Sequence, residues 1–323
     1  MSFDRRKRSL AGCCFNFQQP LDPSYMPLQR DFRPAQPLVT GINRRQTLGL
    51  LMALGVPLAH AQTELTDLAK IRANGTLKVA LYKDNAPFSS GPGNDITGLD
   101  VALAEGLARQ LKLKLSLLPF DAGEKMNDDL RNMVWRGHYM GYGPADIMLH
   151  VPVDKYLIQQ NRQVLIFAPY MRQVQVLLHD TRKLAEVTGP DDLKGHTLAA
   201  ERGTGTASVL MGHNNGMLRS QVVLHNSGVG AAKAVFDGQA TAAYVLRSQA
   251  ESAMAQSGGK QAHWAMTSMP LAGIPENGWP LGMAIKSENK DLGQALEAAM
   301  KGLRESGELL AIFQQNGMTL TAP

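Results

Sequence analysis

The 323-residue chain has two cysteines, Cys13 and Cys14, and both precede residue 62. From Gln62 onward it can form no disulfide, and 262 residues are enough to bury a core without one. Aromatic residues make up 6% of the sequence. Long apolar runs are also lacking: the longest candidate, Thr47–Leu58, has 12 residues, against the roughly 17 needed to cross a hydrocarbon core. An excess of charge is missing too, once the N-terminal part is set aside. Of 33 Lys and Arg and 28 Asp and Glu, residues 1–61 hold 8 and 3, which leaves 25 of each sign. A neutral chain without a basic run offers no footprint for nucleic acid or an anionic membrane surface.

What residues 43–62 do contain, NRRQTLGLLMALGVPLAHAQ, reads as a cleavable export signal. Arg44 and Arg45 form its basic end, Thr47–Leu58 its apolar segment and Ala59-His60-Ala61 its small-residue cleavage site. The paired arginines also match a twin-arginine signal loosely. Residues 1–42 have no apolar periodicity and read as an unstructured extension. The expected location is the periplasm, with no stable membrane insertion.

Beyond the signal, apolar strands alternate with amphipathic helices. GTLKVALY (75–82) is a strand, and VALAEGLARQL is a helix with Val101, Leu103, Ala104, Leu107, Ala108 and Leu111 on one face and Asp100 placed to cap it. LKLSLLPF is a second strand, MNDDLRNMVWRG a second helix, and ADIMLHV (145–151) a third strand. Pro169 argues against one uninterrupted central strand through 164–180. A second series follows: a strand at 197–200, a glycine-rich loop, a helix from about Ala207, then SQVVLHN, AAKAVFDG, TAAYVL and RSQAESAMAQSG. WPLGMAIK (279–286) returns as a strand before a helical C-terminus. Alternation of this kind indicates α/β architecture in two layered units, with ligands expected at the C-terminal ends of the strands.

Several stretches resemble, in order, the type II periplasmic solute-binding proteins related to amino-acid transport receptors. They are GTLKVALYKDNAPFS, TGLDVALAEGLARQLKLKLSLLPF, VLIFAPYMRQVQVLLHD, DDLKGHTLAAERGTGT and GWPLGMAIKSENKDLGQALEAAMKGLRESGELLAIFQ. The resemblance implies a two-lobed fold with a double-strand hinge, with 62–171 and 280–323 in lobe 1 and 172–279 in lobe 2. Family ligand anchors carry over poorly. VPVDKY places Lys155 near the usual carboxylate-clamping arginine and Val151 where a hydroxyl would help, and GQATAA places Thr241 nearest the usual ammonium-binding aspartate. The segment RGHYMGYGPADIMLHVPVDKYLIQQNRQVLIFAPY is similar to a narrower branch, the J-type accessory proteins of periplasmic quinoprotein methanol or alcohol dehydrogenases. That similarity implies a non-enzymatic protein whose cleft binds a partner protein or peptide: a pyrroloquinoline quinone (PQQ) dehydrogenase and its cytochrome. The alternative is a solute receptor that docks on an ABC permease.

Candidate ligand-binding residues follow from position. Tyr82, Asn85 and Phe88 come just after the first strand and supply an aromatic platform with an amide, although Phe88 is equally suited to pack the turn at Pro87. Asp154 and Lys155 are a polar anchor or a surface pair. Gly203, Thr204, Gly205 and Thr206 can present backbone N–H groups and hydroxyls to a carboxylate, or form a tight strand-to-helix turn. Lacking a Lys-Ser or Lys-Thr ending, that loop is no nucleotide-binding P-loop. Arg247 faces the cleft or begins a solvent-facing helix. His138, Tyr139 and Tyr142 lie in a glycine-rich segment suited to partner contact or to space filling. No nucleophile–base pairing, metal-ligand spacing or redox pair is recognisable; Glu201 alone lies where a loop catalyst belongs, and His150 and His196 stand isolated in sequence. No catalytic residue, metal or cofactor is therefore expected, the 16 methionines being spread as core filler.

Overall fold

A computed structural model describes residues 67–92, 95–258 and 263–323. The export-signal reading and both cysteines lie outside these residues. The first sheet contains β1 (Thr76–Tyr82), β4 (Lys114–Phe120), β5 (Ile147–Pro152), β6 (Val164–Gln173) and β12 (Trp279–Lys286), in the order β4-β1-β5-β12-β6. β1 runs parallel to β4 and β5, whereas β12 is antiparallel to both β5 and β6. A short hairpin, β2 (Asp84–Asn85) with β3 (Ser89–Ser90), follows β1. The helices of this lobe are α1 (Asp67–Asn74), α2 (Leu99–Gln110), α3 (Met126–Leu130), α4 (Lys155–Gln160), α8 (Lys290–Glu305) and α9 (Glu308–Gln315).

The second sheet has the order β11-β7-β10-β8-β9, built from β7 (Gln175–Asp180), β8 (Leu198–Glu201), β9 (Val222–His225), β10 (Ala242–Leu246) and β11 (Trp264–Thr267). Its helices are α5 (Gly205–Gly216), α6 (Gly228–Phe236) and α7 (Arg247–Gln256). The chain passes between sheets at Val174, between β6 and β7, and returns between β11 and β12.

Each sheet is covered on both faces. In the first, Leu77, Val79 and Leu81 pack with Leu103 and Leu107 of α2 and with Leu296, Met300 and Leu303 of α8. On the opposite face Ala80 and Met148 meet Leu130, Met133 and Val134; α3 there continues into a π-helical turn, Arg131–Trp135. In the second, Leu178, Ala243 and Val245 pack beneath α6 and α7, while Leu177, Leu198 and Tyr244 pack with Leu210 of α5. Side chains alternate between faces along a strand, so strands buried on both sides read as nearly continuous apolar runs.

Two local departures set up the site. Between Leu281↔Met171 and Met283↔Phe167 the three residues Ala168–Tyr170 oppose only Gly282. On the other side of β12, between Gly282↔Val151 and Ala284↔Met148, Leu149 and His150 oppose only Met283. These bulges put non-glycine residues in the left-handed region, Ala168 at φ 48° and His150 at φ 63°. Gly282 is required between them, since a Cβ there would lie 2.4 Å from the Phe167 carbonyl oxygen. Pro169 fits because β6 is an edge strand and the bulge removes its pairing duty, so the strand continues to Gln173 despite the proline.

Candidate functional site

Bulges commonly re-aim a side chain, and here they turn His150 and Tyr170 toward one another. The N–H of His150, released from the ladder, donates to Tyr170 Oη at 3.1 Å. Tyr170 Oη in turn donates to Asp100 Oδ1 at 2.8 Å, and His150 Nδ1 lies 2.8 Å from Asp100 Oδ2. Asp100 and Tyr170 are fully buried. Burial, and then the neighbouring Asp100, push the Tyr170 phenol well above its ordinary range, so it stays a donor. Asp100 is therefore not the cap of α2. The first N–H groups of that helix are taken by carbonyls of the preceding turn, Leu99 N to Pro87 O at 3.2 Å and Asp100 N to Phe88 O at 2.8 Å, which leaves the Asp100 carboxylate free to point inward.

The His150 ring sits 4.4 Å from the ring of Phe88, which is buried beneath it, and edge-on to Tyr82 at 6.4 Å. Tyr82 is itself fixed: its ring lies 4.7 Å from Phe120, and its hydroxyl donates to Asp129 at 2.8 Å. Burial raises the Asp129 carboxyl, opposed by the hydrogen bonds from Gly123 N and Tyr82. These rings border a cavity of about 250 Å³ lined by Tyr82, Asp84, Asn85, Asp121, Ala122 and His150. It opens at the C-terminal ends of β1 and β5, where α/β sheets bind ligands. Gln173, the last residue of β6, connects this wall to the other lobe: its amide nitrogen is 3.4 Å from His150 Nε2, and its oxygen accepts from Ser248 Oγ of α7 at 3.3 Å.

Tyr82 and Asn85 thus line the cavity, and Phe88 forms the floor under His150. The remaining candidates lie elsewhere. Asp154 caps α4, accepting from Leu157 N at 2.8 Å, and Lys155 is exposed beside it. Thr204 caps α5, accepting from Ala207 N and donating to Glu201 O, and Thr206 accepts from Gln175 Nε2 at 2.8 Å. Gly203 and Gly205 flank that cap at the surface. Arg247 pairs with Glu251 one turn along α7, and the other oxygen of Glu251 accepts from Thr319 N. Thr241 is buried at the start of β10, the end opposite Arg247, so it cannot stand at an ammonium site at the strand's C-terminal end. Glu201 accepts from Gln249 and from Gly228 N, and burial pushes its carboxyl up. His150, Asp100 and Tyr170 were missed because 50 and 20 residues separate them; the available signal was a lone histidine in an apolar strand whose neighbours carry an internal glycine and proline.

Among the described residues no group of three or more His, Cys, Asp or Glu is placed to hold a metal ion, and no helix is long and apolar enough to cross a membrane.

No family model matches the chain. Among curated proteins, 84 residues are 38% identical to membrane-bound lytic murein transglycosylase F of Photobacterium profundum, covering 26% of this chain and 16% of that protein. The chain thus matches only a small part of that relative. Solved structures agree over far more of it. An ancestral cationic amino acid solute binding protein superposes with a TM-score of 0.60 at 20% identity, covering 77% of this chain and 99% of its own. An amino acid ABC transporter substrate-binding protein from Streptococcus pneumoniae Canada MDR_19A, bound to L-arginine, gives 0.55 at 18% identity over 80% and 100%. A second structure of that same ancestral protein, described as a precursor of cyclohexadienyl dehydratase, gives 0.52 at 19% over 77% and 99%. The chain has the two-lobed α/β fold of the type II periplasmic binding proteins.

Proposed function

We propose that the protein is a non-enzymatic periplasmic receptor that holds a small organic solute in the cleft between its lobes and presents it to an ABC permease. The observation that carries this reading is the cavity at Tyr82, Asn85 and His150, joined to the second lobe through Gln173 and Ser248. A solute at that wall lies where closure of the lobes about the two connecting segments covers it. Asp100 and His150 supply an oriented imidazole, but Ser, Thr and Cys are absent from the six residues lining the cavity, so no side-chain alcohol or thiol stands ready for activation. Native mass spectrometry of protein purified without refolding tests the reading. A bound small molecule, released on denaturation and raising the Tm when added back, is the expected result; protein that carries no solute and gains no stability from periplasmic small-molecule extract refutes it.

A second reading, accessory binding to a PQQ-dependent methanol or alcohol dehydrogenase or its cytochrome, is favoured by a separate observation. The loop after the π-helical turn holds His138 stacked on Tyr142 at 4.3 Å while Tyr139 and Met140 stand 90% and 70% exposed. Side chains of that size in solvent suit contact with a protein. Affinity capture from periplasmic extract should then recover the dehydrogenase with wild-type protein and lose it with Tyr139→Ser/Met140→Ser. Recovery of a permease by both proteins favours the solute receptor.

A further inference from the structure

Resting on the cleft-binding reading, the geometry points to a specific ligand chemistry: we propose that the cavity takes a primary or secondary ammonium group with no carboxylate beside it, and that His150 Nε2 accepts one of its hydrogen bonds. The argument begins at Asp100. A buried carboxylate can only accept, and its Oδ2 lies 2.8 Å from His150 Nδ1, so the imidazole proton sits on Nδ1. In the neutral ring Nε2 then carries the lone pair. Ser248 Oγ donates to Gln173 Oε1, which turns the Gln173 NH2 toward Nε2, but the 3.4 Å separation is long for an N–H donor. A closer donor from a ligand outcompetes it.

The rest of the lining has the same polarity. Asp84 and Asp121 supply carboxylates and Asn85 an amide oxygen, while Tyr82, held through Asp129, offers a ring. Lys83 is paired with Asp121 at 2.7 Å, and no Lys or Arg lines the cavity. An alkylammonium has up to three donors and no acceptor, matching these groups, and it is attracted to an aromatic face. A carboxylate would meet Asp84 and an Asp121 already paired with Lys83, with no cation among the lining residues to receive it. The cations at other expected positions do not help, since Arg247 is held by Glu251 and Lys155 is exposed at the start of α4. At about 250 Å³ the cavity lies just below the usual range for ligand pockets, which favours a group of a few heavy atoms.

Calorimetric titration at constant ionic strength with propylammonium chloride, propan-1-ol and sodium propionate tests the assignment. Propylammonium should bind and the two near-isosteres should not. His150→Asn, chosen because asparagine tolerates the left-handed backbone, should weaken propylammonium at least tenfold. Should that variant fail to fold by circular dichroism, Asp84→Asn on the exposed hairpin should show the same loss. Binding of propanol or propionate as tightly as propylammonium overturns the proposal, as does a folded His150→Asn with unchanged affinity. Failure of propylammonium in a protein that still retains another solute by native mass spectrometry overturns the ammonium assignment and leaves cleft binding standing. Failure of all three probes in a protein that retains no solute overturns both.

Discussion

Tyr170→Phe removes one oxygen and almost no volume, so its cost isolates the polar network beneath the site. Two interactions are lost. The Asp100 carboxylate loses a buried donor at 2.8 Å, and a hydrogen bond to a charged group is worth roughly 1.5–3 kcal/mol. The N–H of His150 loses its acceptor at 3.1 Å, and an unsatisfied buried donor costs about 1–3 kcal/mol. Because the two share one hydroxyl and the bulge can relax, the sum should fall near the low end, about 3 kcal/mol. For a domain of this size that lowers the Tm by roughly 6–12 °C. The assay is urea unfolding, in which the midpoint should fall while the slope m holds. Tyr244→Phe is an internal control: its buried hydroxyl donates to the neutral Met269 carbonyl at 2.9 Å, and burial pushes its phenol up to about 12. That variant should cost only about 1 kcal/mol. A loss below about 0.5 kcal/mol for Tyr170→Phe, or one no larger than for Tyr244→Phe, would refute the idea that the Asp100–Tyr170–His150 network holds the bulged strands.

Three further outcomes are expected. Gly278 lies at φ 63°, and a Cβ there would come 1.7 Å from the Gln173 carbonyl oxygen where the two connecting segments meet, so Gly278→Ala should destabilise by at least about 2 kcal/mol; a variant melting within 2 °C of wild type contradicts this. Thr204→Ala removes the cap of α5 and should cost about 1 kcal/mol in urea unfolding with solute affinity unchanged, whereas a loss of affinity would return the Gly203–Thr206 loop to the binding site. Asp180 is held at about 2, below its ordinary 3.8, chiefly by the hydrogen bond from Arg182; this contribution is complete above pH 3.8 and lost as pH falls through 2. The urea midpoints of wild type and Arg182→Ala should accordingly differ at pH 6, draw together as pH falls through 2 and converge below it, and a constant gap would refute the assignment.

The architecture was legible in sequence because its determinants are local. Each strand of the first sheet is a short apolar run, and α2 and α8 show their buried faces at helical spacing, as with Leu292, Leu296, Ala299, Met300 and Leu303. Sequence also placed Tyr82 and Asn85 at the end of the first strand, beside what the structure shows as a cavity, because the end of the first strand of an α/β sheet is a position and needs no contact to define it. What period and position cannot show is a bulge. The strand Ile147–Pro152 is buried at every position except His150 and Pro152, so the histidine reads as a flaw in a core strand. Only pairing with β12 reveals that two strands each place extra residues against the same pair, Gly282 and Met283. The traces in sequence are Pro169 and Gly282, residues that weaken a ladder and often mark such a place.

The charged and hydroxyl candidates illustrate a different ambiguity. Asp154, Thr204 and Arg247 all stand where a strand gives way to a helix, and residues there serve equally to satisfy the helix's own terminal N–H groups or to meet a ligand. Sequence cannot separate the two roles because they call for the same side chains. Geometry shows the internal share of each role: Asp154 Oδ1 accepts from Leu157 N, Thr204 Oγ1 accepts from Ala207 N, and Arg247 Nε donates to Glu251. His150 differs because its partner holds the opposite nitrogen. Asp100 holds Nδ1 and the Gln173 amide lies 3.4 Å from Nε2, so the contacts that satisfy the protein also fix the orientation of a ring that lines the cavity.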